Sequence, residues 1–172
     1  MNITKKAVRA ILRKYFPELS KDIKLASVSK EYKKDYDFYV IGNTIHCTYG
    51  EMKNISNDII LIGTIFHEVG HIILKHIPSN TKKSSIQESK AQKFAIRKAV
   101  EIGNLDIAKY QLVDFENWKD DNFNLEQYVL AYKNNKKWIA KQFIILEKLQ
   151  RKKDQVQRVG EKLLGVSGVF SE

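Results

Sequence analysis

Apolar residues recur at Val8, Ile11, Leu12 and Tyr15 among lysines and arginines, which is one face of a helix over residues 4–16, closed near Pro17. Residues 20–36 are polar and ambiguous. Phe38 to Ile41 and Thr44 to Tyr49 are short runs rich in β-branched and aromatic types, and the Gly42-Asn43 pair between them signals a two-residue antiparallel hairpin. After a polar stretch to Asp58, a strongly apolar helix runs from about Ile59 to His76. Ser56, Asn57 and Asp58 are candidate caps, and Pro78 prevents much continuation.

Ser84 and Ser85 open another helix, which ends near Ile102 before Gly103-Asn104. Residues 105–121 are mixed, with room for a short helix. Asn124 caps a further helix, with Gln127 three residues on and Phe123 placed to staple against Tyr128. Asn134-Asn135 is expected to bend or break it. The helical pattern resumes through Trp138, Ile139, Phe143, Leu146 and Leu149, of which Trp138, Ile139, Phe143 and Leu146 should face the core and leave the lysines in solvent. The end frays from Gly165. The order is an α+β arrangement, mostly helical, with a small antiparallel sheet beside the Ile59–His76 helix. A single domain over 1–172 is expected, with residues 1–104 carrying the chemistry and 105–172 a helical C-terminal part.

Composition narrows the class. Hydrophobic residues are 43% and charged residues 29% of 172, as in soluble globular proteins. Cys47 is the one cysteine, which excludes an internal disulfide and a cysteine-based zinc ribbon and suits a reducing compartment. The longest uncharged apolar run, Ile59 to Phe66, is too short to span a bilayer. The start is basic but lacks an apolar core segment, so it reads as a first helix rather than a secretion signal. The net charge of +10 is unevenly spread. Residues 133–162 carry ten Lys/Arg against three Asp/Glu, and residues 101–128 two against seven. A solvated face accounts for the basic run; nucleic acid or an acidic partner is the alternative.

The chemistry concentrates in His67-Glu68-Val69-Gly70-His71. Histidines four apart on a helix lie about 40° apart around its axis, one turn up, so both imidazoles can reach one cation, and neutral imidazole suits Zn²⁺. Glu68 stays beside the open coordination position, where it can act as general base toward a water made acidic by zinc. Ile65, Phe66, Val69, Ile72 and Ile73 make the surrounding helix apolar, so His, Glu and His there need a reason to accept desolvation. Gly70 is a poor helix former, and its missing side chain allows another backbone to come close.

A third ligand is required, and Glu88 is the candidate, in the first turn of a helix returning antiparallel to the first. Ser85 and Glu88 also fit a capping box, but Ser84 and Gln87 make the same pattern one residue earlier. His76 lies five residues past His71, about 140° around a regular helix, and so faces elsewhere. His46, Tyr49 and His76 are weaker candidates for substrate contact.

These motifs, with Glu88-x-x-Ala91-x-x-Phe94-Ala95 and the strand Thr44-Ile45-His46-Cys47-Thr48, resemble the ImmA/IrrE family of metallopeptidases over roughly residues 38–98. The resemblance implies a zincin-like fold, Glu88 as third zinc ligand and Glu68 as catalytic base. It further implies a cytoplasmic protein of a bacterium, phage or mobile element that cleaves a repressor. Ile96-Arg97-Lys98-Ala99-Val100 departs from the family's Leu/Met-rich stretch ending in Pro, and nothing after Leu105 matches. A regulatory zinc endopeptidase acting on a specific protein is therefore expected. The alternative is a non-enzymatic zinc-binding regulator that contacts protein or DNA through its basic helices; a DNA-associated protease is weakened by the absence of cysteines beyond Cys47 and by the acidic third-ligand candidate.

Overall fold

The computed structural model describes residues 3–28, 38–48, 58–77, 81–120 and 126–163. Five helices and three strands are present among them: α1 (Ile3–Tyr15), β1 (Lys24–Val28), β2 (Phe38–Ile41), β3 (Thr44–Thr48), α2 (Asp58–Ile73), α3 (Thr81–Glu101), α4 (Leu105–Asn117) and α5 (Glu126–Leu163). A 3₁₀ turn, Trp118–Asp120, follows α4. The architecture is α+β and mostly helical.

The hairpin forms as expected, with Ile41 opposite Thr44 and Phe38 opposite Cys47. Gly42 has φ +57° and Asn43 no positive φ, the combination of a type II′ turn. The expected purely antiparallel sheet is corrected to a mixed one. β1, in a stretch with no legible pattern, pairs parallel to β3 with Leu25 opposite Ile45. The strand order β1-β3-β2 makes β2 an edge.

One face of the sheet supplies Phe38, Ile45 and Cys47 to a core shared with Val8, Leu12 and Phe16, with Ile65, Phe66 and Val69 of α2, and with helices α3 to α5. Phe66 anchors the junction, with Tyr15 and Phe16 each meeting its ring edge-on at a centroid separation of 5.3 Å. α2 and α3 approach closely because both present small residues. A Cβ on Gly70 would sit 3.2 Å from the Cα and carbonyl oxygen of Ala91 and 3.0 Å from Phe94 Cδ1. Gly70 thus permits the close backbone approach its position suggested.

Several boundaries differ from expectation. α3 begins at Thr81, so Ser85 is inside the helix, where its hydroxyl donates to the Lys82 carbonyl rather than capping. Glu88 consequently lies two turns into α3, not in its first turn. Residues 105–117 form a full helix, whose Asn104 cap accepts from the Ile107 N–H, followed by the 3₁₀ turn.

α5 runs unbroken through Asn134-Asn135 for 38 residues, about 57 Å at 1.5 Å per residue. The Asn135 amide donates to Ala131 O within the helix and to Ser89 Oγ on α3, so its polarity is used in docking α5 and not in ending it. Ile139 and Leu146 are buried, Trp138 and Phe143 pack against the core, and Lys133, Lys136, Lys137 and Lys141 are exposed, as the periodicity requires. The candidate caps Ser56, Asn57 and Asn124, the staple Phe123, Pro78 and Gly165 lie outside the described residues. No helix among the described residues is long and apolar enough to cross a membrane.

Candidate metal centre

His67 and His71 project from one face of α2 toward Glu88 on α3. Their Nε2 atoms are 3.0 Å apart, and Glu88 Oε2 lies 3.1 Å from His67 Nε2 and 3.3 Å from His71 Nε2. Donors about 2.0–2.2 Å from one tetrahedral centre stand roughly 3.3–3.6 Å apart, so this triangle is close to the size one zinc ion needs. One carboxylate oxygen facing two ring nitrogens is also a suitable donor set for that ion. The three side chains are only 12–14% exposed, within reach of solvent but largely withdrawn from it. Among the described residues this is the group able to hold a metal ion.

Each imidazole is fixed from behind. His67 Nδ1 lies 2.6 Å from Gln92 Oε1. Gln92 is buried, and its amide nitrogen donates to the Gln111 carbonyl at 2.7 Å and to Asp114 Oδ2 at 3.2 Å. Its oxygen must therefore be the atom facing His67, which places a proton on Nδ1 and leaves Nε2 as the ring atom that faces the ligand triangle. Gln92 sits four residues after Glu88 on the same face of α3, a spacing that could have marked it in the sequence.

His71 Nδ1 lies 3.0 Å from His76 Nδ1. The expectation that His76 faces elsewhere is thus corrected. α2 stops at Ile73, and the chain folds back so that His76 joins the cleft.

Charge within the cluster is strongly coupled. For His67, burial alone would favour the neutral ring. The hydrogen bond and charge of Glu88, the charge of Glu68 and the bond to Gln92 outweigh it and hold the imidazolium up to about 9. Burial likewise disfavours the Glu88 carboxylate, but its hydrogen bonds to both histidines and their charge bring it down to about 2.

Glu68, 7% exposed, is raised above the ordinary carboxylate range by burial; the neighbouring histidines pull it down and Glu88 pushes it further up. Among the described residues its carboxylate has no hydrogen-bond or ion-pair partner. Cys47 is buried, and desolvation, opposed by Lys5 and reinforced by Glu68, pushes its thiol up to about 11. It therefore stays protonated at neutral pH and is a poor ligand or nucleophile.

The cluster opens into a cleft of about 370 Å³, walled on one side by β2 from Phe38 to Ile41. Tyr128 of α5 also reaches it, packed on Trp118 at 4.6 Å between ring centroids; Trp118 in turn meets the His67 ring edge-on at 6.2 Å. Nothing local along the chain points to Trp118 or Tyr128 at the site, because the packing of distant helices brings them in. Of the weaker candidates, His46 stacks flat on Tyr39 at 4.6 Å and does not line the cleft, whereas His76 does. Tyr49 lies outside the described residues.

Compared with protein-family models, with curated proteins and with solved structures, the chain matches none.

Proposed function

We propose that the chain is a zinc-dependent endopeptidase in which His67, His71 and Glu88 hold the metal and Glu68 is the general base. One observation carries this reading: a three-donor site lies beside a buried, cleft-lining carboxylate that has no partner among the described residues. A purely structural metal site has no use for such a group. When bound, zinc would supply Lewis acidity and an activated water for attack on a peptide carbonyl. Glu68 would accept a proton as attack proceeds and return it to the leaving amine, and burial favours that role by raising its proton affinity.

The outer edge of β2 borders the cleft, and an extended peptide can add to it through main-chain hydrogen bonds. Histidines on a helix beside a sheet edge, with an acidic ligand from the next helix, are similar to the arrangement in zincins with a glutamate ligand. The motif resemblance to ImmA/IrrE metallopeptidases supports a regulatory target in the cytoplasm, such as a DNA-binding repressor of a phage or mobile element.

The test is metal analysis of the purified protein combined with incubation with unfolded casein and with candidate repressors. About one zinc per chain is expected, with cleavage abolished by a chelator and restored by zinc. Stoichiometric metal without cleavage would favour the second reading, a zinc-binding regulator. One feature supports that alternative: the end of α5, including Arg151, Lys152, Lys153 and Arg158, stands exposed beyond the core.

A further inference from the structure

The metal cleft does not end at Ile77. His76, Ile77 and Gln87 also line a second hollow of about 290 Å³, between the end of α2 and the first half of α3. Its floor is aliphatic: Leu74, Ile77 and Ile86 are 40%, 66% and 47% exposed. Lys75, Lys83 and Lys90 surround that floor, and no acidic residue lines it among the described residues.

Large aliphatic side chains left in solvent around a cleft mark a binding surface more often than scattered exposure does. Lys75 and Lys90, with no carboxylate among the described lining residues, set the sign of the partner. The occupant is better matched by a peptide than by single-stranded nucleic acid. Nucleic acid bound in such a groove rests successive bases on aromatic rings, and the described lining of this hollow offers only the His76 imidazole, which is engaged with His71.

We propose that this hollow is a specificity subsite for an extended peptide segment in which an aliphatic side chain is flanked by carboxylates. The inference rests on the peptidase reading for its purpose, since a segment seated there would continue into the metal cleft on one side of the scissile bond. The aliphatic residue lies on Leu74, Ile77 and Ile86. The neighbouring aspartates or glutamates face Lys75 and Lys90, which are exposed and so discriminate by charge at little cost in desolvation.

The experiment uses binding, so that it does not depend on turnover. Zinc-loaded full-length protein carrying Glu68→Gln is titrated into three fluorescein-labelled ten-residue peptides at low salt, and anisotropy is read. The first peptide has leucine between two aspartates, the second has lysines in place of the aspartates, and the third has serine in place of the leucine. The first should bind about tenfold tighter than either of the others, with the preference over the lysine peptide fading as salt is raised. Lys75→Glu with Lys90→Glu should invert the charge preference, and Lys90→Glu alone, a helix-compatible exposed change, should reduce it. Ile86→Ser should weaken the first two peptides alike.

Equal binding of the aspartate and lysine peptides, or an unchanged preference in the charge-reversed variants, would overturn the proposal. So would an unlabelled single-stranded oligonucleotide that displaces the peptide at lower concentration than the peptide itself does. If the wild-type protein cuts casein without favouring sites beside aliphatic residues flanked by carboxylates, the subsite fails while the peptidase reading stands. If the preference holds in binding but nothing is cut, the peptidase reading fails and the subsite stands.

Discussion

The Nδ1 atoms of His71 and His76 lie 3.0 Å apart across the C-terminal turn of α2. The turn is a Schellman motif: the His76 N–H bonds the His71 carbonyl at 3.0 Å and the Lys75 N–H bonds the Ile72 carbonyl at 3.1 Å. Such a turn brings the second residue after the helix back against the residue three from its end, here the two histidines. Its pivot needs a left-handed backbone, and Lys75 adopts one at φ +52°, where glycine is the usual occupant. That strain is sustained beside the cluster, and its visible result is a partner for His71.

Loss of that partner should loosen metal binding without emptying the site. His76→Ala should weaken zinc affinity by about 10–100-fold, and His76→Asn, whose amide can still engage His71, by less. Competition against a chromogenic chelator measures both. An unchanged affinity in the alanine variant would mean that the contact does not orient His71.

Gly70 should be intolerant of the smallest addition. Gly70→Ala gains about 1 kcal/mol of helix propensity. Its new Cβ, however, would stand 3.2 Å from backbone atoms of Ala91, which cannot shift without moving α3. Overpacking of this kind costs about 1–3 kcal/mol, so net destabilisation is expected, with weaker zinc binding because Glu88 rides on the same helix. Urea unfolding of the metal-free and metal-loaded variant separates the two effects.

Metal uptake should release a proton. Without metal, the His67 imidazolium is held up to about 9, so at pH 7 the ring is charged; ligation needs it neutral. Affinity should therefore rise about tenfold per pH unit through neutrality and level off above about pH 9. Calorimetry in buffers of differing ionisation enthalpy should report about one proton released at pH 7 beyond any from the metal's own water. An affinity flat between pH 6 and 8 would contradict the electrostatic account of the cluster.

The sequence disclosed the parts of the fold that are set locally. Helical spacing brought His67 and His71 together, Gly42-Asn43 marked the hairpin, and Gly70 foretold the close helix crossing. Glu88 is legible although its helix begins three residues before the expected start, because less than one added turn at the N-terminus does not change the face on which Glu88 lies. Nothing local announces the turn that brings His76 back, because a lysine, not a glycine, holds the left-handed position that ends α2. β1 is not legible because Ala26 and Ser27 make a weak strand, held by its pairing with β3 and by Leu25 against the core. Trp118 and Tyr128 reach the site only through the packing of the C-terminal helices, whereas Gln92 stands four residues after Glu88, a spacing legible along the chain.

The most direct test of the central claim compares zinc content and turnover in Glu68→Gln and His71→Ala, with casein or a repressor that the wild-type protein cuts. Glu68→Gln keeps all three donors, so it should fold and bind zinc like wild type while losing about 10²–10⁴-fold in rate. His71→Ala should lose both the metal and the activity. Cleavage by Glu68→Gln at the wild-type rate would contradict the proposed role of Glu68 and with it the peptidase mechanism.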